Sequence, residues 1–218
     1  MIDLVIVGAS GHAKVVIDLF REVDAYRVIG LIDADPTPRK VLGVPVIGSD
    51  EDLAILRGQG VSSAFVAIGD NRLRLKIGRN LEANGFTLVK AVSRRAAVSP
   101  SALLGAGVAV MAGAVVNAET RIDDLAILNT NASVDHDCRL GEACHVAPGS
   151  ALAGNVTVGR LAFLGVGCRA IPGVRIGEGG VVGAGSTVVR DLPPGMVSMG
   201  SPARVVRPIE TGPSETLA

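Results

Sequence analysis

The sequence predicts a small α/β unit followed by a parallel β-helix, on three observations. Apolar residues recur every sixth position from Val92 to Val188. Residues 1–90 alternate short apolar runs with helical patterns. Gly supplies 28 of the 218 residues and Trp none, while 48% of the chain is hydrophobic. A core of Val, Ile, Leu and Ala with abundant Gly suits many short strands and tight turns. It speaks against a helical bundle, and the shortage of aromatics speaks against a base-stacking nucleic-acid module. Lys and Arg total 21, as do Asp and Glu, so no basic excess favours a phosphate backbone.

The length suits one large domain or two small ones. The α/β unit is expected over residues 1–90. Leu4–Gly8 reads as a first strand, followed by a Gly-Ala-Ser-Gly-His turn and a helix near Ala13–Glu22. Val28–Ile32 reads as a second strand ending in Asp33-Ala34-Asp35-Pro36. Ala64–Ile68 reads as a third, ending in Gly69-Asp70-Asn71, with a helix over Arg72–Asn84. Such units carry ligands at the carboxyl ends of parallel strands. Gly8–His12, Asp33–Asp35 and Gly69–Asn71 are therefore expected to converge on one crevice. Ser10 and Ala13 stand where a dinucleotide fingerprint needs Gly, so a redox dinucleotide is not expected. The turn still offers backbone N–H groups at a helix N-terminus for a phosphate. Asp33 or Asp35 could accept a ribose or base hydrogen bond, and Ser10 could equally be a plain N-cap. Lys14, Arg72 and Arg74 read as a solvated helix face.

The β-helix is expected over residues 91–207. Stepping by six from Val92 meets 17 positions, of which 16 are Val, Ile or Leu; chance would supply about five. Four residues after each stands a small residue: Ala96, Ala102, Val108, Ala114, Thr120 and onward to Ser186. Each hexad is one short strand plus a corner, and three hexads close one triangular coil. Cys138, Cys144 and Cys168 all fall in the small-residue register, which makes them prism filling rather than nucleophiles or metal ligands. Three sparse cysteines make no disulfide scaffold, so a reducing cytosol is the expected compartment. No apolar run reaches the ~18 residues of a membrane span, and the N-terminus lacks a basic leader. Asp191-Leu-Pro-Pro-Gly reads as a turn out of the last coil before a short strand to Arg207. Pro208–Ala218, rich in Pro, Ser and Thr, is expected to be a disordered tail.

Two of the three histidines, His136 and His145, lie in one β-helix segment. The register places His136 mid-strand and pointing outward. Asp135 and Asp137 flank it, and a carboxylate beside imidazole raises its basicity. Neighbours in a strand point to opposite faces, so which Asp meets the ring stays open. Gly154 follows His136 by three hexads, one whole coil, and should stack directly on it with a free N–H. His145 follows by a hexad and a half, half a coil, and faces another way. A site using both would lie between chains of an oligomer.

Ser10-Gly11-His12, the strand-end Asp33, Ile68-Gly69-Asp70-Asn71, Asn129-Thr130, His136-Asp137-Cys138, the run His145–Gly159 and Gly200–Arg204 together resemble the nucleotide-linked 4-amino-sugar N-acetyltransferases. These are bacillosamine-type and perosamine-type enzymes, with sialic acid O-acetyltransferases as cousins. The resemblance spans residues 1 to about 207. It implies a left-handed β-helix that forms homotrimers, an N-terminal unit that binds a nucleotide sugar, and acetyl-CoA along the groove between two helices. It makes His136 the general base, Asp137 (often Glu in the family) its acidic partner, and Gly154 the donor to the thioester carbonyl. Asn129 and Asp135 line the same site, with His145 near the thioester. Ser10, Gly11, His12, Asp33, Asp35 and Gly69 belong to the nucleotide sugar; Val166, Gly173, Gly183 and Arg204 belong to CoA. Asp33-Ala34-Asp35 replaces the adjacent acidic pair of uridine-binding members, and the strand-end motifs lean toward the perosamine type. No metal is implied. The resemblance also implies a cytoplasmic enzyme whose product feeds O-antigen or other surface polysaccharide. Three rivals remain at this level: an O-acetyltransferase acting on sialic acid or another hydroxyl, a zinc enzyme of the same fold, and a non-catalytic nucleotide-sugar-binding trimer. The zinc reading needs three interfacial histidines, and the β-helix offers two.

Overall fold

The computed structural model describes residues 1–209. It opens with β1 (Ile2–Val7), α1 (Gly11–Arg21), β2 (Tyr26–Ile32), β3 (Lys40–Val41) and β4 (Val44–Gly48). There follow α2 (Leu53–Gly58), β5 (Ser63–Val66), α3 (Asn71–Ala83) and β6 (Thr87–Leu88). The sheet order is β3-β4-β2-β1-β5-β6, parallel except for the β3–β4 hairpin. The three strands and two helices read from the sequence agree within two residues at each end. The short elements β3, β4, α2 and β6 carry too little periodicity to be read. Leu4, Ile6, Leu31 and Phe65 from the sheet and Val16, Ile17 and Phe20 from α1 are buried in one core.

From Ala91 each hexad forms one two-residue strand and a turn. Residues three hexads apart pair in parallel: Ala91 with Ala109, Ala109 with Ile127, Ile127 with His145, His145 with Phe163. The three-hexad coil is therefore real, and its three faces are three parallel sheets. The first face begins at Ala91–Val92, the second at Ala97–Val98 and the third at Leu103–Leu104. The second residue of each strand points into the prism; Val110, Leu128, Val146 and Leu164 stack there, with Ala126, Cys144 and Ala162 filling between them. Many corners need a left-handed residue. Leu125, Asp137, Ala143 and Leu161 adopt it at φ 60°, 60°, 52° and 59°. Such strain costs roughly 1 kcal/mol per residue and is offset by coil-to-coil bonds, as from Asp137 N–H to Ala118 O at 3.0 Å.

Beyond the last coil, Met196–Gly200 joins the first face and pairs antiparallel with Ala203–Pro208. Pro208, where the tail is expected to begin, pairs with Met196, and Ile209 donates to Gly195 O. The rest of that expected tail, residues 210–218, lies outside the described residues. The α/β unit packs on the first face: Ala91, Ala109 and Ile127 share a core with α1. Leu125 and Ala143, at the edge between third and first faces, share one with α3. At Gly78 of α3 a Cβ would stand 2.5 Å from Leu125 Cδ1, so any larger residue there would have to displace the Leu125 side chain.

Candidate active site

His136 stands at a corner between the second and third faces, not mid-strand as its hexad position suggests. The strand is only Ser133–Val134, and His136-Asp137 form the turn after it. That turn removes the strand alternation that could have separated ring and carboxylate. With Asp137 left-handed, its Oδ2 comes to 2.8 Å from His136 Nδ1. Asp135 serves the backbone: its Oδ1 accepts from His136 N–H at 2.8 Å and from Asn117 Nδ2 at 3.0 Å. The Asp137 hydrogen bond, then the Asp135 charge, hold the His136 imidazole above its ordinary pKa. The Asn117 hydrogen bond first, and the His136 N–H second, hold Asp135 below the usual carboxylate range. The ring is exposed beside a polar cavity of ≈ 400 Å³ lined by Glu119, Arg121, Asp137, Arg139 and Asn155.

Gly154 lies one coil above, as its spacing predicts. A Cβ there would stand 2.6 Å from His136 Cε1 and 2.7 Å from Nε2, so the ring lies flush on this glycine. Gly154 N–H makes no hydrogen bond among the described residues. Gly154→Ala adds a methyl where the ring now sits, at a backbone conformation alanine tolerates. The expected outcome is an unchanged melting temperature and a loss of roughly 10²-fold in kcat/KM, the usual effect of a ~1 Å misplacement. Steady-state kinetics beside a thermal melt checks it.

The nucleotide-site expectation divides. Gly8, Ala9, Ser10, Asp33 and Ala34 do converge, on a crevice of ≈ 350 Å³ completed by Asp50, Ile68, Leu73 and Lys76. Ser10 precedes α1 without capping it through its side chain. Gly11 and His12 open α1 behind this turn. Gly69-Asp70-Asn71 instead line a second cavity of ≈ 300 Å³ with Leu161, Phe163 and Val181 of the β-helix. The third strand end turns away because α3 is anchored on the β-helix. Asp33 is engaged internally: it accepts from Ala9 N–H at 2.7 Å and Asp35 N–H at 3.1 Å, and pairs with Arg39 at 3.0 Å. Asp35 closes a turn on Thr37, whose hydroxyl donates to it at 2.6 Å. Sequence reasoning missed Asp50 and Lys76, which stand far apart in the chain and carry no motif.

His145 points outward from the first face, under the α/β unit, and is 8% exposed. Asn129 Nδ2 lies 3.0 Å from its Nε2, and Phe163 meets it edge-on. Burial first, and the Arg74 charge second, push both His145 and His12 down to about 4. Both rings are therefore neutral at pH 7. Arg74, read as a solvated residue, is 1% exposed. Its guanidinium donates to the carbonyls of Ile68, Gly69, Leu125 and Ala143 at 2.8–3.0 Å and to Asn71 Oδ1 at 2.8 Å. Asn71 in turn donates to Leu161 O and Ala162 O.

The remaining expected positions fall on two edges of the prism. Gly173 shares the second–third edge with His136 and Gly154, and its N–H donates to Gly154 O at 3.0 Å. Val166, 57% exposed, stands on the first–second edge two coils above Thr130. Gly183 is on that side too, beneath Met199, whose Cβ a methyl would approach to 2.9 Å. Arg204 is exposed in the last strand and donates to its neighbour Ala203 O. Within one chain, then, His136 and Gly154 are on the second–third edge, while Asn129 begins the first–second edge and His145 contacts it from the first face. All three cysteines are buried, and burial raises each thiol, Cys144 to about 12. Among the described residues no cluster of three His, Cys, Asp or Glu could hold a metal, and no helix is long and apolar enough to cross a membrane.

Residues 3–81 match the family model of the PglD N-terminal domain. Most of the chain is similar to PerB from Caulobacter crescentus, solved in complex with CoA and GDP-perosamine. The identity is 57%, the coverage 94% of this chain and 97% of that one, and the TM-score 0.90. It is also similar to the acetyltransferase domain of PglB from Neisseria gonorrhoeae, at 38% identity over 94% of this chain and 99% of that one, TM-score 0.88. A curated relative, the uncharacterised protein L142 of Acanthamoeba polyphaga mimivirus, is 28% identical over 120 residues. The match takes in 55% of this chain and spans 23% of that protein's length.

Proposed function

The chain belongs to the family of left-handed β-helix nucleotide-sugar N-acetyltransferases that includes PerB, and on that premise we propose that it acetylates the C4 amine of a GDP-linked 4-amino-4,6-dideoxy sugar. The acyl donor is acetyl-CoA. The observation that carries the reading is the His136–Asp137 pair lying flush on Gly154, beside a Gly154 N–H with no partner among the described residues. That is a base raised in strength next to a free donor.

The reaction follows from those groups. The neutral His136 ring accepts a proton from the sugar amine as the amine nitrogen attacks the thioester carbonyl carbon. The carbonyl π-pair moves to oxygen, where Gly154 N–H meets the growing charge. One such donor is worth about 3 kcal/mol. The tetrahedral intermediate then collapses, the carbon–sulfur bond breaks, and the departing CoA thiolate takes the proton from the imidazolium. The products are an amide and free CoA thiol, with His136 neutral again. Binding both substrates in one groove supplies proximity.

We read the site as shared between copies of the chain. The start of the first face's outward column, Ala91, Ala109 and Ile127, is covered by the chain's own α/β unit. The second face presents Ala97, Val115, Ser133, Ala151, Arg169 and Thr187, mostly small residues suited to close packing. Its two bordering edges carry the two halves of the expected site. A closed homotrimer in which one copy's first–second edge meets another's second–third edge unites them. The Ser10 hydroxyl and the start of α1 suit the diphosphate. An enzyme of this kind works in the cytoplasm, before its product enters polysaccharide assembly.

The test mixes the purified protein with acetyl-CoA and GDP-, UDP- and dTDP-linked 4-amino-4,6-dideoxy sugars, and follows free CoA thiol. Release is expected with the GDP-linked sugar. Release only with a sugar hydroxyl acceptor, or none at all beside an active control enzyme, overturns the reading.

A further inference from the structure

The hydrogen bonds around His145 determine which of its nitrogens carries the proton. Asn129 Oδ1 accepts from Thr130 N–H at 2.8 Å, which fixes that end of the amide as oxygen. The end 3.0 Å from His145 Nε2 is therefore the NH₂ group, which only donates. Nε2 must accept, so it carries no proton and the neutral ring bears its proton on Nδ1. The groups around the ring agree. Arg74 from α3 and His12 from α1 disfavour a second proton, and only the Gly69 backbone favours one. Phe163 is the rung above and Ile127 the rung below, both apolar. Nδ1 is buried and finds no hydrogen-bond partner among the described residues. His145 Nε2 thus cannot donate to an acyl group at the groove, and the protonated Nδ1 is buried away from it. Asn129 does: one of its amide hydrogens is on Nε2, and the other has no partner among the described residues.

We propose that His145 is a positioning residue, a neutral ring protonated on Nδ1 whose Nε2 holds the Asn129 amide so that its second N–H faces the acyl donor. This rests on the acetyltransferase reading above and adds to it a division of labour. Asn129 touches the substrate, and His145, wedged between the β-helix and the α/β unit, sets its angle.

Two measurements test it. The first needs no turnover. Ring-nitrogen NMR on the uniformly ¹⁵N-labelled full chain has only three histidines to resolve. The signal that disappears in His145→Gln is expected to show a protonated Nδ1 and a bare Nε2, unchanged from pH 5.5 to 8.5. A proton on Nε2, or titration in that range, overturns the proposal. The second is a kinetic cycle of Asn129→Ala, His145→Ala and the double variant. If His145 acts through Asn129, the double variant is expected within about twofold of Asn129→Ala in kcat, not at the product of the single losses. Gln can set an amide oxygen near the Nε2 position, so His145→Gln is expected to recover most of what His145→Ala loses. Multiplicative losses, or no recovery in a folded His145→Gln enzyme, overturn the proposal. Where His145→Ala does not fold, His145→Gln and the NMR arm still decide. Absence of turnover in the wild type removes the acetyltransferase reading while leaving the tautomer measurement intact.

Discussion

His136→Ala is expected to lower kcat by roughly 10²–10⁴-fold, the usual contribution of a positioned general base, and to leave the melting temperature unchanged. The second half follows from exposure: the side chain is 58% exposed and its one side-chain partner among the described residues, Asp137, is 60% exposed. Exposed pairs of this kind contribute little to stability. The pH dependence separates this role from a merely structural one. A base must be neutral to accept a proton. Asp137, by its hydrogen bond, and Asp135, by its charge, raise the His136 pKa above 6.5. The acid limb of kcat/KM is therefore expected above pH 6.5 in the wild type. Asp137→Asn removes the leading cause, so the limb should move to lower pH while the plateau rate falls with the weaker base. Kinetics from pH 5 to 9 with both variants check this. An His136→Ala enzyme with wild-type turnover, or an Asp137→Asn limb that moves to higher pH, would sink the assignment.

Legibility in the sequence followed the density of constraint. A β-helix demands one large inward residue per hexad, and the register from Val92 to Val188 records that demand without a slip. The stacking of Gly154 on His136 was legible for the same reason, because a coil of three hexads converts spacing into adjacency. The corner position of His136 was not. The period fixes where a hexad turns inward but not how much of it is strand, and two residues suffice. The single-crevice expectation failed through α3, whose anchoring residues carry no recognisable pattern. Arg74 stands among Arg72, Lys76 and Arg79, a spacing that reads as a wet helix face. Its partners are main-chain carbonyls, and a carbonyl leaves no mark on the residue type that carries it. Asn129 and His145 were legible only as candidates, because their roles depend on the tautomer that Thr130 N–H settles.

Arg74→Met should be the most destabilising single change in the joint between the two halves. The guanidinium is buried with no carboxylate in salt-bridge range among the described residues, so hydrogen bonds alone must offset its desolvation. Burial lowers its pKa to about 10, which leaves it charged at pH 7. It spends its donors on Ile68 and Gly69 of the α/β unit and on Leu125 and Ala143 of the β-helix. Those last two are left-handed corner residues one coil apart, and Asn71 takes the next corner at Leu161. Together Arg74 and Asn71 read three successive coils along one edge. Methionine fills similar volume but leaves four carbonyls without this donor, and each buried unpaired group costs about 1–3 kcal/mol. Water can reach some of them, so a net loss of roughly 3–5 kcal/mol is expected, or about 10 °C in melting temperature for a chain of this size. Arg74→Lys should recover little, since one ammonium cannot span a planar fork of five donors. Thermal melts of the two variants against wild type check both statements. A drop under about 2 °C for Arg74→Met would mean that apolar packing alone sets the joint. The expected loss would instead make a single charged side chain the clamp that holds the Gly69 loop against the β-helix, while its charge opposes protonation of the buried His145 and His12.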